Sequence, residues 1–503
     1  MKNIVTELKQ HEQDLNIRSL ADELQPLIEY SLEEDGIKEK RKGTLLQPGF
    51  LIWIILGCAL CCDLSYPKVL EIFISPIRWL FLDFPNKILS EGSISKARIS
   101  LGIDVMNRLF HKVVVNFVDV KPDFHGMKSV SFDGTTGSMP DTRDNSETFK
   151  KASNQKELNG FPLMRIMTVM ILKTKMILDV AFAPYKGKKT GESSLMIEIL
   201  DRMKFDDIPY LFHFDALFYS VYLVHRLQNS GQFFLMKISK SIKLKPIRYL
   251  KDGSYLAYVI KKVIDPSRSS KGYKRYNKEK MIVRVIEFKI VGFLSVRLIT
   301  NILDESISAR ELVIQYHQRW EIEIGYFEIK TVQCATLKGQ PGTLFRSKRS
   351  DLVKQELYAV LIIYNMIRYK IWQAAEKKGI DPRMISFLDA KQWIMDASVQ
   401  LFNVSSEEKQ SILNYLLCII SKSIIDRPRR KRKNPRAIKQ RSSSFPLKKA
   451  QQHGEKFDLD EDLEIIKAEK QLAIVENKAE EKQKNMDELF FEQVVYFIEN
   501  LAA

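Results

Sequence analysis

Cysteine is scarce, with five residues in 503. An odd number, with no secretory leader ahead of them, leads to the expectation of a reduced, intracellular chain without disulfides. Cys58, Cys61 and Cys62 form a CxxC inside an apolar run, but no second CxxC or His pair follows at zinc spacing, so they read as core residues. Glycine (21) and proline (17) are also few, which excludes collagenous and low-complexity chains. Long hydrophobic runs are missing. The most apolar segment, Gly49 to Cys62, is uncharged for fourteen residues, short of the roughly 20 needed to span a bilayer. It reads as a buried helix, and its place behind a charged N-terminus argues against a signal peptide.

Acidic charge is outnumbered. Lys and Arg total 79 against 62 Asp and Glu, a net charge of +17. An excess of that size favours polyanionic partners, nucleic acid first and anionic membrane second. With 45% hydrophobic and 28% charged residues, the chain has the composition of a globular protein and the length for two to four domains.

Apolar residues at helical spacing from Leu20 to Leu60 predict a helical N-terminal domain over 1–100, suited either to DNA ends or to plain helix packing. From Lys128 the texture changes to strands: Ser129–Phe132, Met164–Leu172, Met176–Ala183, Tyr210–Phe214 and Phe233–Ile238, with helices at 191–204 and 216–228. That order describes an α/β sheet beginning with antiparallel strands and continuing with parallel ones, as in ribonuclease H-like domains. Its first part is assigned to 125–239 and its second, helical part to 302–380. Between them, 240–301 is strand-rich and reads as an all-β insertion, carrying a basic loop with Arg268, Lys271, Lys274 and Arg275. A helical C-terminal region at 381–426 precedes a basic tail at 427–454. The tail packs eleven cations and no acid between Arg427 and Lys449, Arg430 and Arg432 among them. The last segment, 455–503, has fourteen acids against six bases and apolar residues at helical spacing, so it reads as an acidic helical appendix for dimerisation or for shielding the tail.

The clearest local pattern lies in Tyr316-His-Gln-Arg-Trp-Glu-Ile-Glu-Ile-Gly-Tyr-Phe-Glu-Ile-Lys330. On one continuous helix, at about 100° per residue, Tyr316, Arg319, Glu323 and Lys330 share a face roughly 60° wide. An acid beside two cations and a phenol suits a carboxylate that holds a metal while its neighbours grip phosphates. An ordinary solvated face with i,i+4 pairs is the plainer account. One acid neutralises too little of a divalent ion's charge, so partners are required. Asp133 follows Val130-Ser131-Phe132 and precedes Gly134-Thr135, as though ending a strand at a turn; Asp215 follows Tyr210–Phe214 and opens a helix. Each alone also fits a turn former or a helix N-cap. Together the three acids form a hard, all-oxygen set suited to Mg²⁺ or Mn²⁺.

On these residues the chain resembles the DDE transposases of the insertion-sequence-four family, whose third acid lies in a Y-(2)-R-(3)-E-(6)-K signature matched here at every spacing. Chance alone places that pattern in about one chain of this length in a hundred. Phe-Asp-Gly-Thr-Thr around Asp133, Leu352 to Arg368, the leading segment Leu45 to Leu70 and the basic tail are similar to the family as well. One difference stands at the second acid, where members often read Asp-Arg-Gly-Phe and this chain has Asp215-Ala216-Leu217-Phe218.

The resemblance implies a ribonuclease H-like α/β catalytic core with an all-β insertion, a helical N-terminal domain and a helical or disordered C-terminal tail. It implies cut-and-paste transposition, with Asp133, Asp215 and Glu323 as catalytic and metal-binding residues for two Mg²⁺ or Mn²⁺ ions. Tyr316, Arg319, Trp320 and Lys330 would bind DNA near the scissile bond. Double-stranded DNA, as terminal inverted repeats and target, would be the partner of a homodimer in the synaptic complex, in the bacterial cytoplasm at the nucleoid and without a membrane role. Two alternatives stay open: a decayed or repurposed non-catalytic DNA-binding protein, and a metal-dependent nuclease without strand transfer.

Overall fold

The computed structural model describes residues 18–41, 46–62, 64–80, 89–119, 121–152, 160–205, 207–264, 276–290, 294–334, 345–401, 404–425 and 463–466. The fold is mixed α/β, in two compact units: Met1–Tyr210 with Gln318–Pro428, and Leu211–His317 with Arg429–Ala503.

The first unit opens with helices α1 (Ala21–Glu34), α2 (Pro48–Leu60), α3 (Tyr66–Leu80), α4 (Glu91–Leu101) and α5 (Asp104–Phe117). Helix α2 is the uncharged run. It begins on a proline, whose missing N–H is no loss in a first turn, and it is buried on every side. Its partner is the long helix α11 (Ser350–Lys378), which also packs on α5 and closes on Gly379 in a left-handed conformation, φ 68°. The buried Arg98 of α4 fastens the two groups of helices, donating to Gln355 Oε1 at 3.1 Å and to the Leu352 carbonyl at 2.9 Å. Helices α12 (Phe387–Gln400) and α13 (Ser406–Lys422) complete the bundle, α13 starting on a Ser405–Glu408 capping box.

On this bundle lies an antiparallel sheet of β1 (Lys128–Ser138), β2 (Leu163–Ile171) and β3 (Ile177–Pro184), with α6 (Arg143–Phe149) and α7 (Glu192–Arg202) beside it. Strand β1 does not end at Phe132 as the Gly134-Thr135 pair suggests. It runs on through Asp133, which pairs with Thr168, to Ser138, which pairs with Leu163.

In the second unit β4 (Tyr210–Phe214) and β5 (Phe233–Ile238) are parallel, and β9 (Val296–Thr300) is antiparallel to β5. Strands β8 (Tyr276–Ile290), β7 (Tyr255–Ile264) and β6 (Pro246–Tyr249) follow in antiparallel order. The helix expected at 216–228 is instead a 3-10 turn, Ala216–Phe218, followed by α8 (Val221–Asn229), whose N-cap is Ser220. Helix α9 (Ala309–His317) closes the unit. Leu463–Ile465, read from sequence as helical, is a short strand, β10, paired with Phe288–Ile290 of β8. The edge of β8 offers unpaired backbone groups there, and that outweighs a helical apolar pattern. The basic tail and the rest of the acidic segment lie outside the described residues.

Candidate active site

The signature stretch is not one regular helix. Helix α9 stops at His317; a 3-10 turn, Gln318–Trp320, leads to α10 (Glu321–Phe327), and a π turn spans Glu328–Gln333. The single face drawn through Tyr316, Arg319, Glu323 and Lys330 is therefore corrected. Tyr316 ends up 6% exposed, its hydroxyl donating to the carbonyl of Phe214 at 3.1 Å. The phenol braces the end of β4 just before Asp215.

In the first unit Asp133, Arg319 and Glu323 form one electrostatic group. Nη2 of Arg319 donates to Glu323 Oε1 at 3.1 Å, and the guanidinium lies 5.0 Å from the ring centre of Trp320. Arg319 is buried, whereas Glu323 and Trp320 reach solvent. Burial pushes the Asp133 carboxyl up to about 6; the Gly134 N–H and the Arg319 charge pull it down, and Glu323 and Glu192 push it up. Burial likewise lowers the affinity of Lys330 for its proton.

Glu192 is a site residue that sequence reasoning missed. At the first turn of α7 it pairs with Arg165 of β2 at 3.2 Å. A Cβ on Gly134 would meet its side chain at 2.6 Å. Gly134 thus makes room for a neighbouring acid and does not turn the chain. Tyr326 was missed too. Its hydroxyl donates to the Asp133 carbonyl at 2.5 Å and sits 2.8 Å from the Thr168 hydroxyl, fixing the backbone under Asp133. Its spacing of three from Glu323 was the one clue.

In the second unit Asp215 follows β4. Its Oδ1 accepts from the Ala216 N–H at 2.7 Å, an N-cap of the 3-10 turn, and lies 3.8 Å from Lys237 Nζ of β5. Among the described residues no three His, Cys, Asp or Glu side chains already cluster as a metal site. Arg268, Lys271, Lys274, Arg275, Arg430 and Arg432 lie outside the described residues. No helix among those described is long and apolar enough to cross a membrane.

Residues 125–366 match the family model described as "Transposase DDE domain", and residues 14–111 match "Insertion element 4 transposase N-terminal". The chain belongs to the insertion-sequence-four family of DDE transposases. This transposase is 26% identical over 439 residues to "Transposase InsG for insertion sequence element IS4" of Escherichia coli, covering 86% of this chain and 93% of that protein. It is 27% identical over 148 residues to "Putative transposase InsZ" of the same organism, covering 29% of this chain and 48% of that one. The solved structure titled "Cryo-EM structure of piggyBac transposase synaptic complex with hairpin DNA (SNHP)" aligns at a TM-score of 0.38 and 9% identity over 83% of this chain and 85% of that one, too distant to bear on mechanism. The transposase is a DNA-cleaving and strand-transferring enzyme of a divalent-metal-dependent family, and the non-catalytic alternative is not favoured.

Proposed function

We propose that this transposase moves its insertion sequence by cut-and-paste, with Asp133, Asp215 and Glu323 as the shared ligands of two Mg²⁺ or Mn²⁺ ions. The observation that carries the reading is the state of Asp133: a half-buried carboxyl flanked by Glu323 and Glu192 and pushed up to about 6, with Arg319 as the cation that lowers it. Negative charge of that density fits a divalent cation, and three carboxylates supply the hard oxygen donors that Mg²⁺ and Mn²⁺ prefer. Bound there, such ions would lower the pKa of an attacking water or 3′-hydroxyl and would stabilise the leaving oxygen.

The chain's own residues bind and orient. Asp133, Asp215 and Glu323 would hold the ions, and no side chain would act as a covalent nucleophile. Arg319, held by Glu323 in this structure, would hold a phosphate oxygen near the scissile bond. Lys330 holds a second phosphate, Trp320 stacks on a base, and Tyr316 positions Asp215 through Phe214. The basic residues Arg268, Lys271, Lys274, Arg275, Arg430 and Arg432 add grip that salt weakens.

The architecture behind this reading is a ribonuclease H-like core, 125–239 and 302–380, interrupted by a β-rich insertion at 240–301. The helical domain 1–100 recognises element ends. A homodimer joins two ends to target DNA in the bacterial cytoplasm, at the nucleoid. The test is incubation of the purified protein and Mg²⁺ with DNA carrying the flanks of its own coding region and a target plasmid. Excision followed by joined products supports the reading. Cleavage without joining reduces the protein to a nuclease, and binding without cleavage reduces it to a DNA-binding protein.

A further inference from the structure

The signature changes helical type between Glu323 and Lys330, and one buried carboxylate stands where it does. Glu328 opens the π turn Glu328–Gln333 and is itself buried. Its Oε1 accepts from Lys175 Nζ at 2.8 Å, and its Oε2 accepts from the Tyr364 hydroxyl at 3.2 Å and from the Arg368 guanidinium. Both cations are buried, and Lys175 also faces Glu321 at 3.7 Å.

This arrangement is over-built for plain packing. Lys175 sits in the β2–β3 turn with φ 62°, a left-handed conformation uncommon for lysine, and such strain persists only where its surroundings fix it. Burial and the nearby Arg368 push its ammonium down to about 8, so its charge depends on Glu328. Among the described residues, Nε and Nη1 of Arg368 have no hydrogen-bond partner, which leaves Glu328 as the carboxylate that compensates it. On the side of the turn nearer Glu323, Gly325 lies so close to Met170 of β2 and to Tyr364 that a Cβ would meet the Tyr364 oxygen at 3.0 Å. Helix α10 is thus pressed against β2 and α11 immediately before the wider turn begins.

The geometry of that turn decides where Lys330 points. On an α-helix a residue seven positions after Glu323 returns to nearly the same face, at about 100° per residue. A π turn winds more slowly and shifts that angle. Such turns occupy well under about 1% of residues and gather at functional sites.

We propose that Glu328 is a positioning residue: clamped by Lys175, Tyr364 and Arg368, it holds the π turn and thereby sets the direction of Lys330 at the scissile phosphate. The proposal rests on the phosphate-binding duty proposed above for Lys330. The test is a double-mutant cycle on the full-length protein, reading single-turnover cleavage of end-containing DNA with Mg²⁺, with DNA affinity measured alongside. Glu328→Asp keeps the charge but shortens the reach. It is expected to slow cleavage about tenfold to a hundredfold with affinity changed less than about threefold. In a Lys330→Ala background the same change is expected to cost less than about twofold, because the residue it positions is gone. Tyr364→Phe, which removes one hydroxyl and keeps the ion pairs, is the milder variant should Glu328→Asp fail to fold; it is expected to slow cleavage about threefold to tenfold and only when Lys330 is present. Equal losses with and without Lys330, or no loss from either variant, overturn the proposal. A normal rate for Lys330→Ala alone overturns the phosphate-binding reading and this proposal with it.

Discussion

Arg319 donates to Oε1 of Glu323 at 3.1 Å while its charge also lowers the pKa of Asp133, so one guanidinium serves two of the three acids proposed for catalysis. Removing it leaves Asp133 beside Glu323 and Glu192 without that relief. For Arg319→Ala we expect the Asp133 carboxyl to titrate above its present value of about 6. The acid limb of the cleavage-rate profile then moves to higher pH, and the plateau rate falls about 10²-fold through loss of a phosphate donor. A limb that stays in place or moves to lower pH contradicts the shared role.

Asp133 itself carries a stability cost. A carboxyl raised from 3.8 to about 6 favours the protonated fold: its contribution is complete below pH 3.8 and is lost as pH rises through about 6. At pH 8 without metal, Asp133→Asn is therefore expected to stabilise the protein by about 3 kcal/mol, falling to about 0.5 kcal/mol at pH 4. Thermal unfolding at the two pH values checks this. Added Mg²⁺ is expected to raise the Tm of the unaltered protein at pH 8 and to leave that of the variant where it was.

Trp320 is 44% exposed, which excludes a core indole. Trp320→Ala is expected to change stability by less than about 0.5 kcal/mol and to weaken DNA binding by about 1–3 kcal/mol, the worth of one stacked base. Unfolding and gel-shift titrations separate the two. A large loss of stability with unchanged affinity gives the ring a packing role instead.

Much of the fold was legible because it is locally encoded. The uncharged run became α2, and the aromatic-rich apolar runs at Tyr210–Phe214 and Phe233–Ile238 became parallel strands. Asp215 was found at its strand end because the apolar pattern stops there. What was missed depends on distant neighbours. Gly134-Thr135 has turn chemistry, yet pairing with β2 carries β1 through to Ser138, and the glycine serves Glu192, which is remote along the chain and belongs to no pattern or motif. The residues from Ala309 to Gln333 favour one helix locally. The π turn falls where Gly325 and Glu328 meet distant partners, namely Met170, Lys175, Tyr364 and Arg368. Leu463–Ile465 became a strand for the same reason, through β8.

Catalysis by three acids held in common is tested most directly by Mn²⁺-dependent cleavage of end-containing DNA, measured for Asp133→Ala, Asp215→Ala and Glu323→Ala beside the unaltered protein at equal DNA occupancy. The account predicts that each substitution alone lowers the cleavage rate by about 10³-fold or more while DNA binding stays within about threefold. A variant that retains the full rate removes its residue from the site and contradicts the shared-metal mechanism.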